Sequence, residues 1–175
     1  LRSKGFRDYL TEQGWSDEEI DKVVVKSAAT GWSRDTGKEL FESWFSSAQC
    51  DPEKKNWIFT HDDEIAMGIL ESLNGAALDE AKKETFLENF QALGASSGLA
   101  EIYAVMKGTH QTIATPETFD LFSVTYDPAM IKEAVDVMVK HLSGEEIEQD
   151  YVIPVSVVDK ENVNDFQPFG TYDEK

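Results

Sequence analysis

The stretch Trp57-Ile58-Phe59-Thr60-His61-Asp62-Asp63-Glu64-Ile65-Ala66-Met67-Gly68-Ile69-Leu70 changes its period halfway along. Trp57-Ile58-Phe59 reads as a short apolar strand. After it, Ala66, Ile69, Leu70 and Leu73 share one face of a helix that Asp62 or Asp63 caps and Asn74-Gly75 ends. A buried strand turning through carboxylates into an amphipathic helix is one βα unit, and the alternation extends in both directions. Upstream, an opening helix places Phe6 and Leu10 on one face and ends near Gly14; Ser16 with Glu19 then makes a capping box for a short helical turn. Val23-Val24-Val25 reads as a buried strand running toward Ala28. A helix follows, with Gly37, Leu40, Phe41, Trp44, Phe45 and Ala48 along a wide apolar stripe.

Downstream, the pattern predicts a polar helix around Asp79 to Phe86, a strand at Gln91-Ala92-Leu93, a tight loop from Gly94 to Gly98, and a helix striped with Leu99, Ile102, Tyr103 and Met106. Gly108 ends that helix, and Thr109 to Asp120 is a polar insertion around Pro116. Leu121-Phe122-Ser123-Val124-Thr125 is the next strand. Asp127 as cap and Pro128 at the first position open a helix carrying Ile131, Ala134, Val135, Met138 and Leu142, closed by Gly144. Beyond the acidic loop Glu145 to Asp150, Val152 to Val158 reads as an apolar strand whose Pro154 favours a sheet edge or a hinge-like crossing. Short strands, apolar on both faces and alternating with helices, predict an α/β fold with a parallel sheet and helices on both faces.

Composition narrows the function classes. With 16 Lys+Arg against 34 Asp+Glu the 175 residues carry a formal charge of −18, which disfavours nucleic acid and anionic membrane surfaces, both of which need clustered cations. A hydrophobic content of 41% is too high for a disordered acidic tail. Cys50 alone makes neither an internal disulfide nor a multi-cysteine zinc site. No apolar run approaches a membrane span. The chain opens at Leu1-Arg2-Ser3 inside a helical pattern, so a processed or excised piece is expected, and a missing export signal then says nothing about location.

Ligands of open α/β sheets collect at the carboxyl ends of strands. These ends offer Thr30-Gly31-Trp32-Ser33-Arg34, His61-Asp62-Asp63-Glu64, Gly94-Ala95-Ser96-Ser97-Gly98 and Tyr126-Asp127. Rings, carboxylates, a guanidinium and hydroxyls together suit a neutral polyhydroxylated ligand, whose C–H faces stack and whose paired hydroxyls bond charged groups. Each residue has a plainer alternative. Trp32 could be core, Asp62 or Asp63 a helix cap, Arg34 a salt bridge, Ser96 and Ser97 N-caps, and Tyr126 packing under the following helix. Catalysis finds little support: no Ser-His-Asp set, phosphate loop or GxGxxG is present, and the acidic run beside His61 does not converge as a metal site, nor do His110 and His141 stand where they would complete one. The reading is therefore a non-enzyme with no cofactor and no metal.

Gly5-Phe6-Arg7-Asp8-Tyr9-Leu10, Trp32-Ser33-Arg34 opening a helix, and Phe59 to Gly68 resemble, in that order, the type I periplasmic sugar-binding proteins of the ribose/galactose group of ABC importers. Leu93-Gly94, Met106-Lys107-Gly108, Asp127-Pro128-Ala129-Met130 and Leu142-Ser143-Gly144-Glu145-Glu146 with Val152 to Val158 continue the match. The resemblance implies the C-terminal portion of a two-lobed receptor, residues 1–126 being the ligand-binding lobe, 127–150 a crossing segment whose helix associates with the missing N-terminal lobe, and 151–175 a return strand and tail. It further implies sugar contacts from Trp32, Arg34, Asp62, Ser96 and Tyr126, and a mostly structural Asp63. Ser96 replaces the family's usual carboxylate, Tyr126 its Gln, and Asp62 its Asn. The implied partners are a carbohydrate, an ABC permease and the N-terminal lobe, with no nucleic acid, in an extracytoplasmic setting, periplasmic or as a cell-surface lipoprotein. The alternative is the effector-binding region of a LacI-type repressor or an extracellular signalling receptor, which use the same fold.

Overall fold

The computed structural model describes residues 2–24, 28–126, 130–148 and 150–169. In chain order these form α1 (Arg2–Glu12), α2 (Asp17–Val23), α3 (Arg34–Ser46), β1 (Asn56–Phe59), α4 (Asp63–Asn74), α5 (Glu80–Asn89), β2 (Phe90–Ser96), α6 (Ala100–Met106), β3 (Asp120–Thr125), α7 (Met130–Leu142) and β4 (Ser156–Asp159), with a 3-10 turn at Val163–Asp165. The sheet order is β1-β2-β3-β4. Strands β1, β2 and β3 run parallel, as expected; β4 pairs antiparallel with β3, Val158 against Ser123, a reversal that the apolar run did not announce.

Both parallel connections step the same way across the sheet, so crossovers of the usual right hand put α4, α5 and α6 on one face, in keeping with the single core their residues share. Ile58, Leu93, Ala95, Leu121 and Val158 alternate toward that face, where they meet Met67, Leu70, Phe86, Ile102, Val105 and the α3 residues Phe41 and Phe45 in one core. Phe86 centres an aromatic cluster, edge-on to Phe45 at 5.4 Å and stacked on Phe90 at 4.9 Å. On the other face the helical cover is incomplete, since Trp57 is 64% and Phe59 46% exposed. Gly94 lies in that second face between Phe59 and Phe122, and a Cβ there would stand 2.5 Å from the Phe122 ring.

Several expectations are corrected. Val23 closes α2 and the Val24 N–H bonds Ile20 O, because the Ser16–Glu19 capping box starts a helix that runs on through the valines; Val25 lies outside the described residues. The segment Gly94-Ala95-Ser96 belongs to β2 and pairs with Phe122, Ser123 and Val124. Small residues suggest a loop, but here the Phe59 and Phe122 rings fill the space beside Gly94. The polar helix reaches Asn89, with Phe86 and the Lys83 stem buried on a face too narrow to mark it in the sequence. Only residues 156–158 of the Val152 to Val158 run enter the sheet, Pro154 having no N–H to give a ladder. The Asp127 cap and Pro128 lie outside the described residues.

Candidate functional site at the carboxyl ends of the strands

β1, β2 and β3 end side by side at Phe59, Ser96 and Thr125, and α4 and α6 begin just beyond the first two. The pole is fixed from beneath by Asp63. This carboxylate is fully buried and accepts the N–H groups of Gly98 and Leu99, each at 2.7 Å, and the Ser123 hydroxyl at 2.8 Å. One side chain thus ties the start of α4 to the β2–α6 turn and to β3. Burial pushes its pKa above the ordinary aspartate value, against the pull of those donors. Thr125 adds a tie, its hydroxyl donating to Ser97 O at 3.2 Å.

Arg34, the first residue of α3, would be unfavourable at a helix N-terminus by itself. Its Nε donates to Glu64 at 2.7 Å, and its Nη1 to Glu101 at 3.1 Å and Glu71 at 3.3 Å, while Nη2 faces Glu101 and Glu64. Glu64 and Glu101 sit in the first turns of α4 and α6, where negative charge is favoured, so one guanidinium pins three helix starts together. His110 supports Glu101 at 3.2 Å, its other ring nitrogen accepting from Ile113 N–H at 3.0 Å. The salt-bridge alternative for Arg34 is therefore realised. Hydrogen bonding from Arg34 holds the Glu101 carboxyl below the usual range, so its stabilisation is present above the unfolded carboxylate value and is lost as pH falls through the lowered one. Arg34→Met should destabilise most near neutrality and flatten the loss of stability as pH falls below the ordinary glutamate range in urea titrations. An unchanged acid limb would show that the network carries no charge-dependent stability.

Trp32 is not core: it is 74% exposed. It stands with Gly31 at the centre of a turn closed by Ser33 N–H on Thr30 O at 3.1 Å, with φ of +60° at Gly31 and +59° at Trp32. That is the left-handed conformation a bulky residue avoids, at about 1–2 kcal/mol. An exposed ring held in a strained turn loses stability without gaining burial, the pattern of a residue kept for contact with something else. Trp32→Gly should accordingly raise stability by about 1 kcal/mol, read as a higher urea midpoint; a lower midpoint would mean the ring packs.

The remaining expected site residues share this pole. Asp62 caps α4, accepting Glu64 N–H at 2.9 Å, which fulfils the cap reading and leaves it half-buried. Ser96 ends β2 and is 7% exposed; it caps nothing, since α6 begins after Leu99 without a side-chain cap. Tyr126 follows β3, half-buried. Sequence reasoning missed Glu101, Glu71 and His110. Glu101 was findable, because an Arg in a first helical turn at this pole calls for a carboxylate from a neighbouring helix start. Among the described residues no cluster of His, Cys, Asp or Glu has the makings of a metal site.

The sheet order and helix arrangement match, in fold, part of the type I periplasmic binding proteins. No protein-family model and no curated protein matches the chain. Solved structures do. A galactofuranose-binding protein superimposes with a TM-score of 0.57 at 18% identity, over 80% of this chain and 42% of that one. An ABC transporter periplasmic solute-binding protein from Actinobacillus succinogenes 130z with bound D-allose gives 0.56 at 17%, over 80% and 42%. The fructose-binding periplasmic domain of a hybrid two-component system gives 0.52 at 15%, over 78% and 39%. The chain thus spans about two fifths of the length of the sugar-binding proteins whose fold it shares.

Proposed function

We propose that this chain is the C-terminal lobe of a carbohydrate receptor that closes on a simple sugar between two lobes and presents it to an ABC permease outside the cytoplasm. The observation that carries the reading is Trp32, an exposed aromatic held in a strained turn beside three helix starts that converge at the carboxyl ends of a parallel sheet. Trp32 stacks the ligand, while Asp62, Ser96 and Tyr126 supply polar contacts, and Arg34 acts mainly by holding the rim. The role is binding, with no catalytic step.

Helix α7 supports the missing lobe. Ile131, Val135, Met138 and Leu142 form a stripe at helical spacing, all more than half exposed, and no residue of α7 is buried. We assign this helix to the N-terminal lobe, with residues 127–150 as the crossing segment and 151–175 as the return. No described helix is long and apolar enough to cross a membrane. The likeness to a two-component sensor domain favours a second reading, a receptor that signals rather than transports.

A thermal-shift panel of galactose, D-allose, D-fructose and myo-inositol on the full-length protein containing this chain tests the reading. At least one sugar should raise the melting temperature in proportion to the logarithm of its concentration. A flat response to all of them would count against a carbohydrate receptor.

A further inference from the structure

His110 lies at the start of the insertion that separates α6 from β3, and both of its ring nitrogens are engaged. Its backbone is fixed first: the N–H groups of Thr109 and His110 donate to Ala104 O, at 2.9 and 3.1 Å. The ring's Nδ1 accepts the Ile113 N–H at 3.0 Å and the Thr112 N–H at 3.3 Å. A backbone N–H can only donate, so Nδ1 is bare and the proton of the neutral ring sits on Nε2. Nε2 lies 3.2 Å from Glu101 Oε1 and therefore donates to that carboxylate. The imidazole is well enclosed, with 13% of the side chain exposed, and Ile113, whose N–H it accepts, is buried in the core. Further along, the Thr115 hydroxyl donates to Val105 O and the Phe119 ring lies 4.6 Å from that of Phe90, so the insertion is docked at several points. Glu101 Oε1 is also the atom to which Arg34 Nη1 donates, at 3.1 Å, and Glu64 and Glu71 of α4 hold the same guanidinium. His110 and Arg34 thus meet on one carboxylate oxygen.

We propose that His110 is a positioning residue of this pole: the insertion locks its ring in the neutral Nε2–H tautomer, and that N–H orients Glu101 so that Arg34 holds the start of α3 and the Trp32 turn. The consequence for ligand affinity rests on the carbohydrate reading of the site; the tautomer and the effect on Arg34 do not. A carboxylate in a first helical turn can rotate about its own side-chain bonds, and a second donor on the oxygen that Arg34 uses removes that freedom. The plain alternative is that the imidazole only closes its own turn at Thr112 and Ile113, Glu101 being held by Arg34 alone.

Two substitutions divide the ring's bonds between them. His110→Asn puts a carbonyl oxygen where Nδ1 stands and keeps the turn, but is too short to reach Glu101; His110→Gln puts an amide donor at the level of Nε2 and keeps the Glu101 bond. In the full-length protein, nitrogen NMR shifts of the His110 ring, at a pH where it is neutral, should show Nε2 protonated and Nδ1 bare. The reverse tautomer, or an even mixture of the two, overturns the proposal. His110→Asn should speed solvent exchange of the Arg34 Nε–H about threefold or more, while His110→Gln stays within about twofold of wild type. With the sugar of the panel that binds wild type, affinity should fall about fivefold in His110→Asn and less than about twofold in His110→Gln. Unchanged exchange, or unchanged sugar affinity, in His110→Asn overturns the proposal while the carbohydrate reading stands. An equal loss in His110→Gln would trace the effect to the turn and overturns it as well. A panel in which no sugar binds would sink the carbohydrate reading, and the ring tautomer with the Arg34 exchange would still decide the role of His110.

Discussion

Asp63→Ala is expected to lower the stability of this lobe by about 3–5 kcal/mol, because it strands three donors in a dry interior, each worth about 1–3 kcal/mol when left unpaired. The damage should spread. The Gly98 and Leu99 N–H groups set the β2–α6 turn, Ser123 lies in β3, and Asp63 begins α4, so the start of α4, the β2–α6 turn and β3 lose their common tie together. Asp63→Asn separates hydrogen bonding from charge. Its amide oxygen can still accept the two N–H groups, and its NH₂ can donate to the Ser123 hydroxyl, so a much smaller loss is expected. The pH dependence carries a definite sign. Burial raises the carboxyl's pKa in the folded state, so wild type gains most over Asp63→Asn below the ordinary aspartate value, and that gain shrinks as pH rises through the folded value. Equal urea midpoints for Asp63→Ala and wild type would remove Asp63 from its place as the tie.

Gly68→Ala should be the second most damaging change, at about 3 kcal/mol. Helices α3 and α4 pack backbone to backbone there: a Cβ on Gly68 would stand 2.5 Å from Arg34 O and 3.2 Å from Lys38 N. Both obstacles are backbone, so no side chain can swing away and the helices must separate. Moving α3 displaces Arg34 from Glu64 and Glu101 and carries the Trp32 turn with it. The expected result is a lowered melting temperature together with weakened sugar binding. A melting temperature equal to that of wild type would show that the helix pair has slack at this crossing.

The order of elements was legible because βα units announce themselves by a change of period. Asp62 and the Ser16–Glu19 box were readable as caps, since capping is local chemistry. What escaped was non-local. Gly94-Ala95-Ser96 looks like a turn until Phe59 and Phe122 arrive from adjacent strands, and the antiparallel course of β4 depends on where the chain re-enters the sheet. Val23-Val24 carries strand propensity, but a capped helix overran it. At the site, Trp32 and Arg34 could be singled out from their placement at a helix start. That Arg34 is engaged by three carboxylates from two helices, and that Phe169 returns from the far end of the chain to Gly98, rests on contacts between residues far apart in sequence.

The central claim is that the strained, exposed Trp32 is held for a carbohydrate. Isothermal titration of the full-length protein with the sugar that stabilises it, wild type beside Trp32→Gly, tests this most directly. Trp32→Gly should bind about ten- to a hundredfold more weakly while unfolding at higher urea. Unchanged affinity in Trp32→Gly would contradict the claim.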